Sequence, residues 1–393
     1  MPIRYVRNIK AKNFKSLVDF NLDLAKFTCL IGLNGVGKST VLQFIDFLGQ
    51  QVRGKIDGWL VEREWEAEDI TSKPGSQPNV DFGVSLVDDA GEKEVTWEAR
   101  FDPSKLRCTS ERIVTPEATL EVENGQLCLV DLAGNAHGLA AGIAFTYQGS
   151  ILSQLDDERL PESLRDFKKY FTAVKSFDVL TPQLLREPTR VVGGGLGLGG
   201  RRLPSLIDEI NIIKHRELVL ALQTVYPQLV NFDVKKSPGG GKEIHIVEAP
   251  RGQESFPRIT TEAQHINDGL LRMIAIVAEL ASDEHRFVLF DEIENGINPE
   301  VVEFVMDTLV NARQQMLVTT HSPMVLNYLD DETARRGVIY LYKTPQGQTK
   351  SIPFFSIPSL AKKLTVMGPG EAFVDTNLTK LAQEIAGLNG EEA

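Results

Sequence analysis

The stretch GLNGVGKST, from Gly32 to Thr40, constrains the fold of this chain more than any other feature. It fits the pattern G-x-x-x-x-G-K-[ST], in which glycines let the backbone wrap closely around phosphates. An apolar strand, Phe27 to Ile31, precedes it, and an apolar helical repeat follows from Lys38 to about Leu48. Because the N–H groups at a helix N-terminus favour an anion, this order predicts a nucleoside triphosphate site.

Consecutive side chains and N–H groups of this stretch are expected to contact the nucleotide. Lys38 is a candidate catalytic residue because its ammonium can reach the β- and γ-phosphates, and the Ser39 hydroxyl is a candidate Mg²⁺ ligand. Within this stretch the candidate ATP contacts are Asn34, Gly35, Val36, Gly37, Lys38, Ser39 and Thr40.

In a second stretch, RFVLFDEIENGINP, four apolar residues run directly into Asp291 and Glu292. Burying an unpaired carboxylate is costly, so these acids need a partner. Beside a triphosphate site, Asp291 is a candidate for holding Mg²⁺ through a water molecule. Glu292 is a candidate for accepting a proton from water that attacks the γ-phosphate. Taken alone, the same residues also fit an acidic pair that simply starts a loop.

Polar residues also stand where two other predicted elements begin or end. Asn267, Asp268 and Gly269 form a polar turn before a strongly apolar helix, which is a second N-terminal site for an anion. Further along, the apolar strand in QMLVTTHSPMVL ends next to His321. A histidine at a strand end is usually structural, but this one lies at the edge where the other polar groups converge.

The remaining periodicities predict an α/β fold with additional parts. Short alternating segments from Asn79 to about Asp131 predict an antiparallel sheet. Helical periodicity dominates from about 151 to 227, a hairpin follows, and helices alternate with strands from about Thr260 to Tyr342. We therefore expect four parts. An N-terminal ATPase lobe (1–150) carries the antiparallel β subdomain, and a mainly helical insertion with a β-hairpin follows (151–260). A C-terminal ATPase lobe (261–348) and a tail (349–393) complete the chain as given.

Composition narrows the class of protein. The 393 residues are 42% hydrophobic and 24% charged, as in an ordinary globular chain, and no apolar run reaches the length of a membrane span. The N-terminus lacks the apolar core of a signal peptide. Three widely spaced cysteines, Cys29, Cys108 and Cys128, suit free thiols in a reducing compartment, so we expect a cytoplasmic protein. The net charge of −12 argues against a surface that is basic throughout, but it does not exclude a local cluster of basic residues that binds DNA.

The order of these motifs resembles the ABC-type ATPase head shared by the structural-maintenance-of-chromosomes (SMC) and RecF proteins. Within that group it is most similar to the compact OLD-like ATPases, often labelled AAA family ATPases in bacteria. The resemblance implies a P-loop NTPase fold. Gly32–Thr40 then matches the Walker A loop, Phe287–Asp291 the Walker B strand and Glu292 the catalytic glutamate.

The same resemblance implies a dimer that depends on ATP. In that family two heads pair head to tail, and each ATP lies between one Walker loop and the signature helix of the other subunit. Glu294–Pro299 matches the loop that crosses the interface, and His321 matches the switch histidine. The segment from Asn267 to Arg272 stands in the place of the signature, so Asn267 and Gly269 would act in trans.

Two residues depart from the family pattern, and the Q-loop glutamine has two candidates. The signature serine is replaced by Asn267, whose amide can donate the same kind of hydrogen bond, so we expect nucleotide sensing to survive with slower hydrolysis. Asn298 replaces a histidine that often precedes the proline of the interface loop. For the Q-loop glutamine, Gln148 in FTYQGS is the first candidate and Gln154 the second.

These features predict a Mg²⁺-dependent ATPase whose dimerisation controls a partner. OLD-like chains often continue into a Toprim nuclease domain, for which residues 349–393 are too few. We therefore expect a separate effector, such as a Toprim-type nuclease in a bacterial anti-phage module.

One alternative is a RecF-like ATPase of DNA repair or recombination, and another is a nucleotide-gated scaffold with little turnover. A transporter subunit fits less well, because IKAKNFKSL and the antiparallel insertion favour the SMC branch.

Overall fold

The computed structural model describes residues 5–73, 77–88, 91, 94–131, 141–177, 180–249, 257–282 and 285–389. Its strands are β1 Tyr5–Phe14, β2 Leu17–Asp23, β3 Phe27–Ile31, β4 Val80–Val87, β5 Glu94–Asp102, β6 Arg107–Val114, β7 Ala118–Glu123, β8 Gln126–Asp131, β9 Ala141–Gly142, β10 Val174–Phe177, β11 Leu229–Lys236, β12 Lys242–Glu248, β13 Ile259–Glu262, β14 Phe287–Phe290, β15 Gln315–Thr319, β16 Val338–Lys343 and β17 Thr349–Pro353. Its α-helices are α1 Lys38–Arg53, α2 Ile56–Glu62, α3 Glu162–Thr172, α4 Pro182–Leu185, α5 Leu203–Glu209, α6 Ile212–Val225, α7 Asp268–Ala281, α8 Pro299–Val310, α9 Pro323–Asn327, α10 Asp331–Gly337, α11 Pro358–Lys363, α12 Pro369–Val374 and α13 Leu378–Asn389.

The chain forms two compact units whose segments alternate along the sequence. The first unit comprises Met1–Ser176, Glu332–Lys362 and Glu384–Ala393, and the second comprises Phe177–Asp331 and Lys363–Gln383. The Walker A loop belongs to the first unit. The Walker B strand and the signature helix belong to the second.

An eight-stranded sheet dominates the first unit. Its strand order is β2-β1-β4-β5-β6-β7-β8-β9, with antiparallel neighbours throughout. The tight turn between β7 and β8 places Asn124 at φ 50° and Gly125 at φ 76°, the left-handed conformations that such hairpins require. The antiparallel sheet that the alternating segments predict is therefore confirmed.

Helix α1, which begins with the Walker lysine, packs on this sheet through aromatic rings. The ring of Phe44 lies 5.2 Å from that of Phe14, and the ring of Phe47 lies 5.1 Å from that of Phe101. Full burial of one such side chain contributes about 1.5–3 kcal/mol, so the helix is held firmly against the sheet. The helix extends to Arg53, beyond the predicted end near Leu48, and stops where Gly54 takes φ 66°.

A smaller group of strands in the first unit lies beside the phosphate loop. Strand β3 pairs in parallel with β16, which pairs antiparallel with β17. All five residues of β3 are buried, which explains their uninterrupted apolar character. The β16–β17 hairpin comes from far along the chain and reaches the loop that follows β3.

The second unit contains the parallel pair β14 and β15, in which Phe290 lies opposite Val318. Each strand is followed by a helix, as the alternation from Thr260 to Tyr342 predicts. A separate sheet has the order β11-β12-β13. The expected hairpin therefore has a third strand, because Ile259–Glu262 pairs along β12.

Two expectations from composition concern the thiols and the membrane. In the part of the chain that the structure describes, Cys29, Cys108 and Cys128 are thiols that form no disulfide bond. Cys29 and Cys108 are buried, whereas Cys128 is partly exposed. Across the part of the chain that the structure describes, every helix is too short or too polar to cross a membrane.

Candidate nucleotide site

The loop between β3 and α1 has the conformation of a phosphate cradle. Gly35 and Gly37 have φ values of 77° and 106°, in the region that glycine adopts without strain. The Nζ of Lys38 donates to the carbonyl oxygens of Gly32 (2.9 Å) and Leu33 (3.2 Å), so its side chain folds back along the loop. Lys38 is only 6% exposed, and Ser39 beside it is exposed. The predicted loop residues are therefore brought together as the motif requires.

Two hydroxyl groups distant in sequence support this loop. The Thr349 hydroxyl donates to the carbonyl of Val36 (2.8 Å) and lies 3.0 Å from the Ser16 hydroxyl. A Cβ on Gly37 would lie 2.7 Å from Thr349 Oγ1 and 2.8 Å from Ser16 Oγ. Gly37 is thus required by crowding as well as by its φ angle. Thr349 is completely buried at the start of β17, and sequence reasoning missed it because it lies more than 300 residues from the motif.

Replacing Thr349 with Val is expected to weaken ATP binding roughly tenfold, because an unsatisfied buried carbonyl at Val36 costs about 1–3 kcal/mol. The catalytic rate at saturating ATP should stay within about twofold, since no catalytic group changes. Titration with a fluorescent ATP analogue measures the affinity. Thr224→Val is the matched control, because that exposed hydroxyl also donates to a backbone carbonyl, Ala221 O at 2.7 Å. Equal affinities for the two variants would contradict the bracing role.

The acids after β14 are held by a hydroxyl from the neighbouring strand. All four residues of β14 are buried, and the next two residues are partly exposed. Thr319, at the end of β15, donates its hydroxyl to Asp291 Oδ1 and accepts a hydrogen bond from the Glu292 N–H (2.8 Å). The acidic pair is therefore fixed at the end of the strand and does not merely start a loose loop.

Glu292 has a strained backbone. Its φ of 48° lies in the left-handed region, which costs a non-glycine residue about 1 kcal/mol or more. The hydrogen bond from the Glu292 N–H to Thr319 and the one from Asn295 Nδ2 to Glu292 Oε2 (3.3 Å) hold this conformation. Strain of this kind concentrates at functional sites, because the surrounding structure must maintain it.

The third acid of the stretch connects it to the predicted switch histidine. Glu294 Oε1 accepts a hydrogen bond from the backbone N–H of His321 (2.8 Å). Its Oε2 is buried and has no hydrogen-bond partner among the described residues. The structure therefore places His321 beside the acids, as the convergence of the strand ends predicts.

The polar turn before α7 is capped at its N-terminus. Asn267 Oδ1 accepts from the N–H groups of Gly269 (2.9 Å) and Leu270 (3.2 Å), which is the role of an N-cap residue. Arg186 holds the same turn from outside, donating to the carbonyls of Ala263 (3.1 Å) and Ile266 (2.6 Å). Arg186 also bonds to Asp268, and the sequence offers no signal for this distant contact.

Comparisons with known proteins agree with this geometry. Residues 5–111 match a family described as AAA ATPase domain, and residues 258–327 match one described as AAA domain, putative AbiEii toxin, Type IV TA system. The solved structure of the SmcHead bound to the C-winged helix domain of ScpA has a TM-score of 0.54 at 15% identity, covering 88% of this chain and 97% of that chain. The Smc head with an extended coiled coil, bound to the C-terminal domain of ScpA and derived from Pyrococcus furiosus, has a TM-score of 0.52 at 14% identity, covering 90% and 96%. No curated protein matches the chain.

The chain has the fold of an SMC-type ATPase head. The predicted P-loop NTPase class is thereby confirmed, and the two AAA matches fall on the Walker A loop and on the signature and Walker B segments. Together they support an ATP-binding ATPase. The narrower OLD-like assignment stays a prediction.

Gln148 has a local structural role. Its Oε1 accepts a hydrogen bond from the N–H of Asp57 (3.0 Å) at the start of α2, and its backbone carbonyl accepts from Ser153. The amide of Gln154 also donates to Ser153 (3.1 Å). The hydrogen bonds of both candidate Q-loop residues are thus made with groups outside the Walker loop, and their contact with nucleotide stays a prediction.

Proposed function

We propose that this head hydrolyses ATP with Mg²⁺ and that two copies pair head to tail around the nucleotides. The observation that carries the proposal is the loop from Gly32 to Thr40, with its left-handed glycines, its buried lysine and the exposed Ser39. A helix N-terminus preceded by such a loop favours a phosphate group through its N–H donors. The Lys38 ammonium would add the positive charge that β- and γ-phosphates need.

The residues present suit a magnesium ion bound mainly by phosphate. Mg²⁺ prefers hard oxygen ligands and is commonly held by one or two carboxylates together with substrate phosphates. Ser39 and Asp291 supply a hydroxyl and a carboxylate, and Thr319 orients the carboxylate through its hydrogen bond to Oδ1. The ion, when bound, would neutralise charge on the phosphates.

Glu292 is the proposed general base. Its carboxylate is partly exposed and is oriented by Asn295, while its backbone is fixed to Thr319. A carboxylate so held can accept a proton from an attacking water molecule, a contribution typically worth 10²–10⁴-fold in rate. His321, whose backbone is tied to Glu294, would complete the polar edge near the γ-phosphate.

The signature turn would act on the nucleotide of the second copy. Asn267 uses Oδ1 for capping, and its amide N–H groups make no hydrogen bond with the described residues. They would therefore be available as donors to a γ-phosphate, in place of the usual serine hydroxyl. Gly269 would allow the close approach of that phosphate to the start of α7.

Removal of the metal and measurement of molar mass test this proposal. With ATP and Mg²⁺ we expect steady phosphate release, and with excess EDTA we expect a loss of about 100-fold or more, because the phosphate charge is no longer neutralised. Light scattering after gel filtration should show a monomer without nucleotide and a dimer with a non-hydrolysable analogue and Mg²⁺. Phosphate release no faster than that of buffer would contradict hydrolysis, and an unchanged mass would contradict the ATP-dependent dimer.

A separate effector polypeptide is the proposed partner. The second matching family is described as a putative AbiEii toxin, and both Smc head structures are bound to domains of ScpA. The ScpA-bound structures support a protein partner, which we propose to be a Toprim-type nuclease in anti-phage defence, with RecF-like DNA repair as the alternative. Co-purification with the product of a neighbouring gene tests the idea. Failure to recover one, with and without ATP, would contradict it.

A further inference from the structure

Arg272, in the first turns of α7, is a buried cation whose role the proposed mechanism leaves unexplained. It is 7% exposed, although arginine is rarely buried without a partner. Its Nε is buried and has no hydrogen-bond partner among the described residues. A guanidinium in this position costs free energy unless nearby negative charge offsets the loss of hydration.

The surroundings of Arg272 identify that charge. Its side chain lines a narrow cleft together with Asp291, Glu292 and Asn295. Burial lowers the pKa of Arg272, and the carboxylates of Asp268 and Glu292 act in the opposite direction. The guanidinium therefore lies in the field of the proposed general base.

The guanidinium also lies against the interface loop. A Cβ on Gly296 would be 3.0 Å from Cζ and 3.2 Å from Nε of Arg272. Gly296 has φ 67°, so both its conformation and the space beside it favour glycine. Gly269 approaches the same loop, since a Cβ there would be 3.3 Å from Gly296 O. The signature helix and the Glu294–Pro299 loop are thus packed together through Arg272 and two glycines.

From this geometry we infer that Arg272 is a positioning residue for hydrolysis: it orients the Glu292 carboxylate and supports the Glu294–Pro299 loop from the signature helix. The inference rests on the proposed function, because it assigns Glu292 as the base through which Arg272 acts. It concerns the rate of the chemical step and not ATP affinity, because Arg272 is proposed to act on the Glu292 carboxylate and not on the phosphate loop.

The test compares Arg272→Gln and Arg272→Lys with Arg216→Gln, a control at an exposed arginine on α6. We expect Arg272→Gln to lower kcat on the order of 10- to 100-fold, because small displacements of a catalytic group have effects of that size. The Kd for ATP should change less than about threefold. Arg272→Lys should recover part of the rate, since lysine keeps the charge but loses the planar fork.

A double-mutant cycle separates positioning from general loosening of the fold. If Arg272 acts through Glu292, adding Arg272→Gln to Glu292→Gln should change the residual rate by less than about twofold. Losses that multiply would show that Arg272 acts independently of Glu292 and would overturn the inference.

Thermal unfolding distinguishes a loss of kcat that follows from a folding defect from one that follows from lost positioning. If Arg272→Gln lowers Tm by more than about 10 °C, which is several kcal/mol for a chain of this size, Arg272→Lys becomes the deciding variant. A near-native Tm with at least a threefold loss of kcat then supports the inference, and an unchanged kcat overturns it. If the wild-type protein hydrolyses ATP and the Arg272→Gln variant has the same kcat, this inference alone is overturned. A wild-type protein with no hydrolysis overturns the proposed function and this inference with it.

Discussion

Lys38→Ala is expected to raise the Kd for ATP by about 100-fold or more and to abolish measurable hydrolysis. Lys38 Nζ donates to the carbonyls of Gly32 (2.9 Å) and Leu33 (3.2 Å), so the variant loses the charge that faces phosphate and the contacts that brace the loop. Hydrogen bonds to charged groups contribute about 1.5–3 kcal/mol each, so the loss of two that the ammonium would donate to the β- and γ-phosphates corresponds to at least a hundredfold in affinity. Isothermal titration with ATP and Mg²⁺ measures the change.

Lys26→Ala is the matched control for this variant. Lys26 is exposed just before β3 and outside the motif. Removing its side chain should therefore leave the affinity for ATP within about twofold. Circular dichroism of both variants would show that α1 is retained. Native affinity in the Lys38 variant would mean that the loop does not hold the nucleotide.

Glu292→Gln is expected to lower kcat by about 10²–10⁴-fold while leaving ATP affinity within about threefold. Glutamine keeps the shape of the side chain and its oxygen can still accept from Asn295, but the amide cannot take up a proton from water. If the proposed dimer separates on hydrolysis, its ATP-bound form should accumulate in this variant. Single-turnover kinetics and light scattering with ATP and Mg²⁺ measure both effects.

Glu303→Gln serves as the control, since Glu303 is an exposed glutamate on α8, outside the acidic stretch. Equal rates for the wild type and Glu292→Gln would remove Glu292 from the role of base. If ATP still bound and drove dimerisation in that case, the nucleotide-gated scaffold would become the better account of this head.

The parts of the fold that were predictable from sequence are those set by short-range periodicity. Alternation with turn residues located the antiparallel strands β4, β5, β7 and β8, because side chains on successive strand positions face opposite sides. The apolar repeat after Gly37 located α1, whose true end at Arg53 depends on the glycine that follows. Strand β13 escaped prediction because Ile259–Glu262 is short and gains its hydrogen bonds only by pairing with β12.

The candidate site divides in the same way. The Walker A loop and the Asp291–Glu292 pair could be proposed from sequence because each is a contiguous run, although the acidic pair indicated a metal site only once the phosphate loop was recognised. Thr349 and Arg186, which hold the phosphate loop and the signature turn, are an ordinary threonine and an ordinary arginine in the sequence. Their roles depend on hydrogen bonds to segments far away along the chain, which no local pattern records.

The amino-acid sequence by itself determined the class of fold, the order of its motifs and the candidate residues for binding ATP and Mg²⁺. It could do so because a strand, a glycine loop, a helix and an acidic strand end are local features. Only the tertiary structure decided how those residues are held. Thr319 fixes the strained Glu292, Glu294 is tied to His321, and Arg272 is buried against Gly296 beside the acids. The physical reason is that burial and hydrogen bonding join groups from separate segments, and the free energy of an acid or a cation depends on what those segments place around it.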